Sequence, residues 1–162
     1  MVGLGGNMVI DGGARTTFET GAVREIDDTK GRCDLVYNAV IGEVFNDEIP
    51  VLLENFVRTG DRGNIIKAIR CFITRAYVDA ATAYLELSKH YAEGAKKYSD
   101  RNMEKGIPHH SFIDSGMRHY AKWLRGDVDE PHDRAFLWNL VTLLYMVDYH
   151  PELNDLPYGG NK

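Results

Sequence analysis

The most constraining feature of the sequence is an apolar segment at residues 136–144, which lies between Pro131 and Pro151. Drawn as a helix, it is apolar on nearly every side, so other elements must cover it. Proline is tolerated in the first turn of a helix and stops one at its end, while Asp129 and Glu130 complement the N-terminal dipole. The segment therefore predicts the central helix of an all-α fold.

Other segments of the chain repeat the helical spacing of apolar residues. We expect helices at about residues 35–44, 50–56, 65–77, 80–98, 111–124 and 131–149. Asn64, Asp79 and Ser111 are the expected N-caps, and Gly126 is the expected end of the fifth helix. No segment has the pattern of a strand, so the sequence predicts a single-domain helical bundle.

The first 34 residues differ from the rest of the chain. Seven glycines lie within residues 1–32, with little apolar periodicity. This composition predicts an irregular arm over residues 1–34 that wraps the domain or a partner subunit. Residues 35–162 are then the helical, nucleotide-handling domain.

Composition limits the partners of the chain. The net charge of -5 argues against a general nucleic-acid or anionic-membrane binder, because phosphate backbones recruit excess lysine and arginine. Cys33 and Cys71 form no metal-binding pattern and indicate reduced thiols. No run of about 18 apolar residues is present. We expect a soluble cytoplasmic protein without a nucleic-acid or membrane partner.

Two groups of polar side chains lie on the predicted helices. Asn139 shares a helical face with His132, so both are expected to face one pocket, unless Asn139 only satisfies a neighbouring helix. Asp114 and Arg118 are four residues apart, as in an intrahelical ion pair. With His119 they also form a candidate anion-binding and acid/base set, the alternative being a structural histidine.

Acidic side chains indicate a metal site. Glu130 and Asp133 are three residues apart and are expected on one helical face, as a shared Mg²⁺ would need. Glu86, His90 and Glu93 share a face of an earlier helix, and an antiparallel approach would bring four carboxylates together. The alternative is a solvated helix start whose charges complement the dipole.

The densest cationic run lies at residues 96–105. Lys97 and Arg101 would attract phosphate oxygens, and Tyr98 could stack on a base. A basic helix end that matches the dipole is the alternative. The glycine-rich phosphate-binding motifs of other nucleotide folds are absent from the sequence.

Several short segments form a recognisable set. They are TGAVR (20–24), KGRCDL (30–35), HYAEGAKKY (90–98), RN (101–102), EKGIP (104–108), DS (114–115), RH (118–119) and DEPHDRAFLWN (129–139). Together they resemble, over nearly the whole chain, a phage and prophage family described as dATP/dGTP diphosphohydrolase, N-terminal domain.

That family is placed near the MazG-like all-α nucleoside triphosphate pyrophosphohydrolases. The resemblance implies Mg²⁺-dependent cleavage of dATP or dGTP to the monophosphate and pyrophosphate. Our working hypothesis gives roles to particular side chains: Glu93, Glu130 and Asp133 as metal ligands; Lys97, Arg101, Arg118 and Lys122 on the triphosphate; Asp114, His119 and His132 as proton handlers; and Tyr98, Asn102 and Asn139 on the base or sugar.

Two other functions compete with this hypothesis. A non-catalytic phage protein would sequester a signalling nucleotide or a purine metabolite, with tight binding and no turnover. A purely structural module would have no nucleotide affinity. In either nucleotide-handling case we expect a homo-oligomer, since a small bundle with an irregular arm has surface to bury. A phage-encoded protein would act in the bacterial host cytoplasm.

Overall fold

The computed structural model of the protein describes residues 14–26 and 30–159. These residues contain six α-helices and one small sheet. The elements are β1 (Ala14–Thr17), β2 (Val23–Ile26), α1 (Asn38–Phe45), α2 (Glu48–Thr59), α3 (Arg62–Ala76), α4 (Ala80–Lys97), α5 (His109–Arg125) and α6 (His132–Tyr149). Short 3-10 turns lie at Cys33–Leu35, Asn102–Lys105, Pro151–Leu153 and Pro157–Gly159. The all-α prediction is confirmed.

Helix α6 is the most buried helix of the described structure, as the apolar segment predicts. Its core side chains include Phe136, Leu140 and Leu143, each fully buried. Helix α5 packs closely along it, and a side chain at Gly116 would come within 3.3 Å of the Asn139 Cβ atom. Although α6 has 18 residues, none of the described helices is both long enough and apolar enough to cross a membrane.

The described part of the N-terminal arm contains a hairpin that its glycine content does not predict. β1 and β2 pair antiparallel, with Thr17 opposite Val23, and Gly21 takes the left-handed conformation in the turn. Two four-residue strands carry too weak an alternation to be recognised in the sequence. Tertiary contacts hold this hairpin: the Thr20 hydroxyl donates to the Gly106 carbonyl oxygen at 2.5 Å. Residues 1–13 of the predicted arm lie outside the described residues.

The helix boundaries confirm some predicted caps and correct others. Asp79 caps α4 by accepting a hydrogen bond from the Thr82 amide at 2.7 Å, and Gly126 ends α5 at φ +83°. The predicted cap at Asn64 is wrong, because Asp61 accepts from the Gly63 amide and starts α3 earlier. Ser111 does not cap α5 either, since that helix begins directly after Pro108.

Candidate functional site

A cavity of about 690 Å³ lies between the hairpin, α4, α5 and the first half of α6. It is large enough for a nucleotide-sized ligand. Most of the site residues predicted from the sequence line it: Glu93, Lys97, Tyr98, Arg101, Asn102, Asp114, Arg118, His119, Lys122, Glu130 and Asn139. The structure therefore brings together side chains from segments far apart in the chain. His132 and Asp133 are not part of the lining.

The lining of the cavity is cationic, although the whole chain is acidic. Seven lysine and arginine side chains face three carboxylates there. The cations are Arg24, Lys30, Arg32, Lys97, Arg101, Arg118 and Lys122, and the carboxylates are Glu93, Asp114 and Glu130. In a protein with a net charge of -5, this local excess favours an anionic ligand.

Arg24 of β2 supplies a partly buried cation that no local pattern in the sequence indicates. Its Nη2 donates to the Asn139 Oδ1 atom at 3.0 Å, and its guanidinium lies 5.4 Å from the ring centre of Phe112. Its Nη1 atom is buried without a hydrogen-bond partner. Burial lowers the pKa of Arg24 to about 10, with Asp114 opposing the shift, so the group stays protonated at neutral pH. A buried, charged donor without a partner is costly unless a ligand satisfies it.

Asn102 fixes the strand that carries Arg24. Its Nδ2 donates to the Val23 carbonyl oxygen at 3.0 Å, and its Oδ1 accepts from the Val23 amide at 3.2 Å. Both polar atoms of this buried amide are therefore engaged by the hairpin. The amide of Asn139 is engaged too, because its Nδ2 donates to the Ala135 carbonyl at 2.8 Å while its Oδ1 accepts from Arg24.

Asp114 and Arg118 form the predicted intrahelical ion pair, with Arg118 Nη2 2.6 Å from Asp114 Oδ2. The same pair holds the chain at the rim of the cavity: Arg118 donates to the Gly31 carbonyl at 2.7 Å, and Asp114 Oδ1 accepts from the Cys33 amide at 2.6 Å. The Nε atom of Arg118 is buried without a partner. Asp114 thus has both oxygens occupied, whereas Arg118 keeps a donor for a ligand.

The acidic face of α4 meets an arginine rather than further carboxylates. Arg134 Nη2 lies 2.6 Å from Glu93 Oε1, and its Nη1 lies 3.9 Å from Glu86 Oε2. The second oxygen of Glu93, Oε2, is buried and has no partner. Burial, and then the neighbouring carboxylate of Asp133, raise the pKa of the Tyr77 phenol.

The expected shared helical face for Glu130 and Asp133 is wrong, because α6 begins at His132 and leaves Glu130 in the preceding loop. Within the described residues, Glu93 and Asp133 belong to no group of three or more His, Cys, Asp or Glu side chains close enough to share a metal ion. Glu130 does belong to such a group, with two histidines.

His119 and His132 face each other across α5 and the start of α6. Their Nδ1 atoms are 3.0 Å apart, and Glu130 Oε1 lies 3.6 Å from each of them. The Nε2 atom of His132 lies 2.7 Å from Asp129 Oδ1. The other oxygen of Asp129, Oδ2, lies 2.9 Å from Lys122 Nζ. Burial, followed by the neighbouring His132, lowers the pKa of His119 to about 3. His132 is therefore behind the wall of the cavity, in contact with a histidine that lines it.

Aromatic rings lie along the α4 side of the cavity. Trp138 is surrounded by His90, Tyr91 and Phe112, with ring centres 5.6, 6.3 and 6.0 Å away. Tyr98 is near the cavity rim, where the guanidinium of Arg15 lies 5.6 Å from its ring centre. Flat apolar surfaces next to a cationic lining suit a ligand with both an aromatic and an anionic part.

His90 is expected to make the fold sensitive to acid. Burial, and then Arg134, lower its pKa from 6.5 to about 4, against the smaller opposing effect of Asp133. The unfolded chain binds this proton below about pH 6.5 and the folded chain does not, so stability is lost as the pH falls from 6.5 towards 4. Because the lowered pKa of His119 also reduces stability in acid, the expected effect of His90→Gln is a decrease of ~1–2 kcal/mol in the stability lost between pH 7 and pH 5, as measured by urea unfolding.

The control for this measurement is His110→Gln. Its hydrogen bond to Asp155 raises the pKa of His110, so His110 stabilises the protein in acid, and its loss should steepen the pH dependence. An unchanged pH dependence in His90→Gln would contradict the assigned neutral, buried imidazole.

Comparison with known proteins gives one family match. The family described as dATP/dGTP diphosphohydrolase, N-terminal, matches residues 73–156, just over half of the chain, and this match includes α4, α5 and α6. Searches of curated proteins and of solved structures found no match. The family's name supports a hydrolase with a nucleotide substrate. With the helices of the cavity inside the matched region, the chain belongs to the dATP/dGTP diphosphohydrolase, N-terminal family.

Proposed function

We propose that the cavity binds a purine deoxynucleoside triphosphate and hydrolyses it, with Mg²⁺, to the nucleoside monophosphate and pyrophosphate. The observation that carries this proposal is the excess of cations in the lining of an otherwise acidic chain. The family's name gives the substrate class. A triphosphate carries several negative charges, and its transfer from water into a cavity is costly unless cationic side chains neutralise these charges.

The triphosphate is assigned to the side of the cavity where Arg24 and Arg118 present buried nitrogen atoms without partners. Each can donate a charge-assisted hydrogen bond to a phosphate oxygen. Lys97, Arg101 and Lys122 add positive charge to the same lining. The purine is assigned to the aromatic side, near Trp138 or Tyr98, where a ring can stack.

Asn102 and Asn139 support the nucleotide indirectly in this proposal. Their amide atoms hold Val23 and Arg24, as described above, so they fix the hairpin and its cation rather than face the base with unused polar atoms. Base preference then follows mainly from the aromatic surfaces and from backbone groups of the hairpin.

In the proposed reaction the oxygen of a water molecule bonds to the α-phosphorus, the bond from this phosphorus to the bridging oxygen breaks, and pyrophosphate and a proton of the water are released. Arg24 and Arg118 would neutralise charge that develops on the phosphate oxygens. Both carboxylate oxygens of Asp114 already accept hydrogen bonds, from the Cys33 amide and from Arg118. The attacking water is therefore assigned to the wall formed by His119 and Glu130. Bound Mg²⁺ would polarise the phosphoryl oxygens.

Among the expected Mg²⁺ ligands, Glu93 has the strongest support. Its Oε2 atom is buried, has no partner and belongs to a residue of the cavity lining. Magnesium commonly binds one or two carboxylates together with substrate phosphates and water, so a single carboxylate oxygen suits an ion that arrives with the nucleotide. Glu130 lines the same cavity, whereas Asp133 does not.

Sequestration without catalysis remains a second candidate function. One observation favours it: Arg134 occupies the space between Glu86 and Glu93 and neutralises the acidic face expected to hold the ion. A protein built only to bind would keep the cationic cavity and need no free carboxylates. It would retain intact nucleotide whether or not Mg²⁺ is present.

The test is a panel of deoxy- and ribonucleoside triphosphates with and without Mg²⁺, assayed for pyrophosphate release and for bound, intact ligand. We expect Mg²⁺-dependent pyrophosphate release from dATP and dGTP. Glu93→Gln should lower kcat by about 100-fold while affinity is kept, because the substitution removes charge but little volume. Glu43→Gln, an exposed change on α1 outside the cavity, should leave kcat unchanged.

Other results would lead to different conclusions. Tight retention of intact nucleotide with no product in either condition would establish sequestration. Full turnover in Glu93→Gln would remove Glu93 from the reaction. Neither binding nor turnover with any nucleotide would reject the assignment of the cavity.

A further inference from the structure

We propose that His119, His132 and Glu130 form a three-ligand site for a divalent first-row transition-metal ion in the wall of the cavity. The three side chains converge from α5, from the first residue of α6 and from the loop between these helices. The proposal uses no property of the nucleotide. It would hold for a hydrolase and for a sequestering protein alike.

The distances between the three donor atoms match a metal coordination sphere. His119 Nδ1, His132 Nδ1 and Glu130 Oε1 form a triangle with sides of 3.0, 3.6 and 3.6 Å. The centre of such a triangle is about 2.0 Å from each corner, which is the length of bonds from zinc to imidazole nitrogen and carboxylate oxygen. An ion at or slightly above this centre would bind all three atoms without movement of the backbone.

A neighbouring carboxylate orients one of the ligands. Asp129 Oδ1 lies 2.7 Å from the Nε2 atom of His132, so Nε2 carries the proton and donates it in a hydrogen bond. The Nδ1 atom of His132 then has its lone pair directed at Glu130 and His119. This carboxylate–histidine arrangement is the usual outer partner of a metal-bound imidazole, where it fixes the tautomer and the ring.

The charges around the triangle leave Glu130 available to an ion. Asp127 and Asp129, which form a second acidic group with His132, are paired with Arg125 and Lys122. No lysine or arginine among the described residues pairs with Glu130. Its negative charge lies instead beside two imidazoles, which a bound cation would explain.

The donor types select the class of ion. Two imidazoles and one carboxylate suit Zn²⁺, Co²⁺, Mn²⁺ or Fe²⁺, whereas Mg²⁺ prefers oxygen donors alone. Three protein ligands leave at least one position open, as in catalytic rather than structural zinc sites. His119 and Glu130 line the cavity, so an ion bound to them would border the cavity with its open position.

Without an ion the same geometry is a hydrogen bond between the two imidazoles, with one proton shared along the 3.0 Å contact. That arrangement and metal binding exclude each other, because the hydrogen bond needs a proton on one Nδ1 atom whereas the metal needs the lone pairs of both. Titration with a metal therefore decides between them.

The experiment is a Co²⁺ titration of the chelator-treated full chain without nucleotide, followed by visible absorption. We expect saturation at one equivalent, loss of the absorption on addition of Zn²⁺, and a higher melting temperature with either ion. Glu130→Gln and His132→Gln should weaken Co²⁺ binding by at least about 100-fold, and Asp129→Asn by about 10-fold. His110→Gln, which removes an imidazole outside the triangle, should bind Co²⁺ normally.

If the buried position of His132 prevents His132→Gln from folding, the variants of the partly exposed Glu130 and Asp129 decide the outcome. The proposal is overturned if Co²⁺ gives no saturable absorption, or if Glu130→Gln binds Co²⁺ as the unaltered protein does. Because the readout contains no nucleotide, failure of the hydrolase proposal would leave this result unaffected.

Discussion

Replacement of Arg24 by methionine is expected to weaken nucleotide binding by about 100-fold, as measured by isothermal titration with dATP or dGTP. The Nη1 atom of Arg24 is buried in the cavity without a partner, and the guanidinium is held by Asn139. This nitrogen atom is already buried in the folded protein, and a phosphate oxygen would accept the hydrogen bond that it can donate. Methionine keeps much of the side-chain length and its packing near Phe112 but removes the charge and all five donors.

Two further variants separate the loss of charge from the loss of geometry. Arg24→Lys keeps the charge without the planar fork and should lose affinity by about 10-fold. Arg58→Met removes an arginine that pairs with Glu54 on α2, outside the cavity, and should bind nucleotide normally. Wild-type affinity in a folded Arg24→Met protein would show that the nucleotide binds elsewhere.

The central helix could be predicted because its signal is local. Residues 136–144 are apolar on nearly every side, and Pro131 and Pro151 limit the helix at both ends. The observed α6 begins directly after one proline and ends two residues before the other. A helix predicted from an apolar pattern of this kind is found in the structure because burial of its apolar faces stabilises the fold.

The site could be predicted only in part, because residue types and short spacings do not show which residues far apart in the sequence come into contact. The cationic run and the histidines point to an anionic ligand, yet the spacing argument for Glu130 and Asp133 fails where the helix starts later than assumed. Arg134 of α6, which no spacing argument indicates as a partner of α4, neutralises Glu93 on that helix. Arg24 lies in an arm predicted to be irregular and meets Asn139 across 115 positions of sequence.

Asn102→Ala is expected to weaken nucleotide binding by about 10-fold or more, through the hairpin. Asn102 makes both hydrogen bonds to Val23, the residue before Arg24. Loss of the Asn102 side-chain amide leaves the backbone amide and carbonyl of Val23 without these partners. We expect this to reduce the local stability of the hairpin by ~1–3 kcal/mol. We expect increased amide hydrogen exchange in the hairpin, with most of the stability of the helical core retained, since that core lies in α2 to α6. Asn55→Ala, on the exposed side of α2, is the matched control.

A double-mutant cycle between Arg24 and Asn102 tests how the amide acts. If Asn102 works by positioning Arg24, the variant with both Arg24→Met and Asn102→Ala should bind nucleotide no more weakly than Arg24→Met alone, and the coupling free energy should equal the effect of Asn102→Ala. If Asn102 contacts the base or sugar directly, as expected from the sequence alone, the two losses should add. Additive losses would therefore reject the positioning role and return Asn102 to direct recognition of the nucleotide, because a residue that acts only through Arg24 has nothing left to contribute once Arg24 is removed.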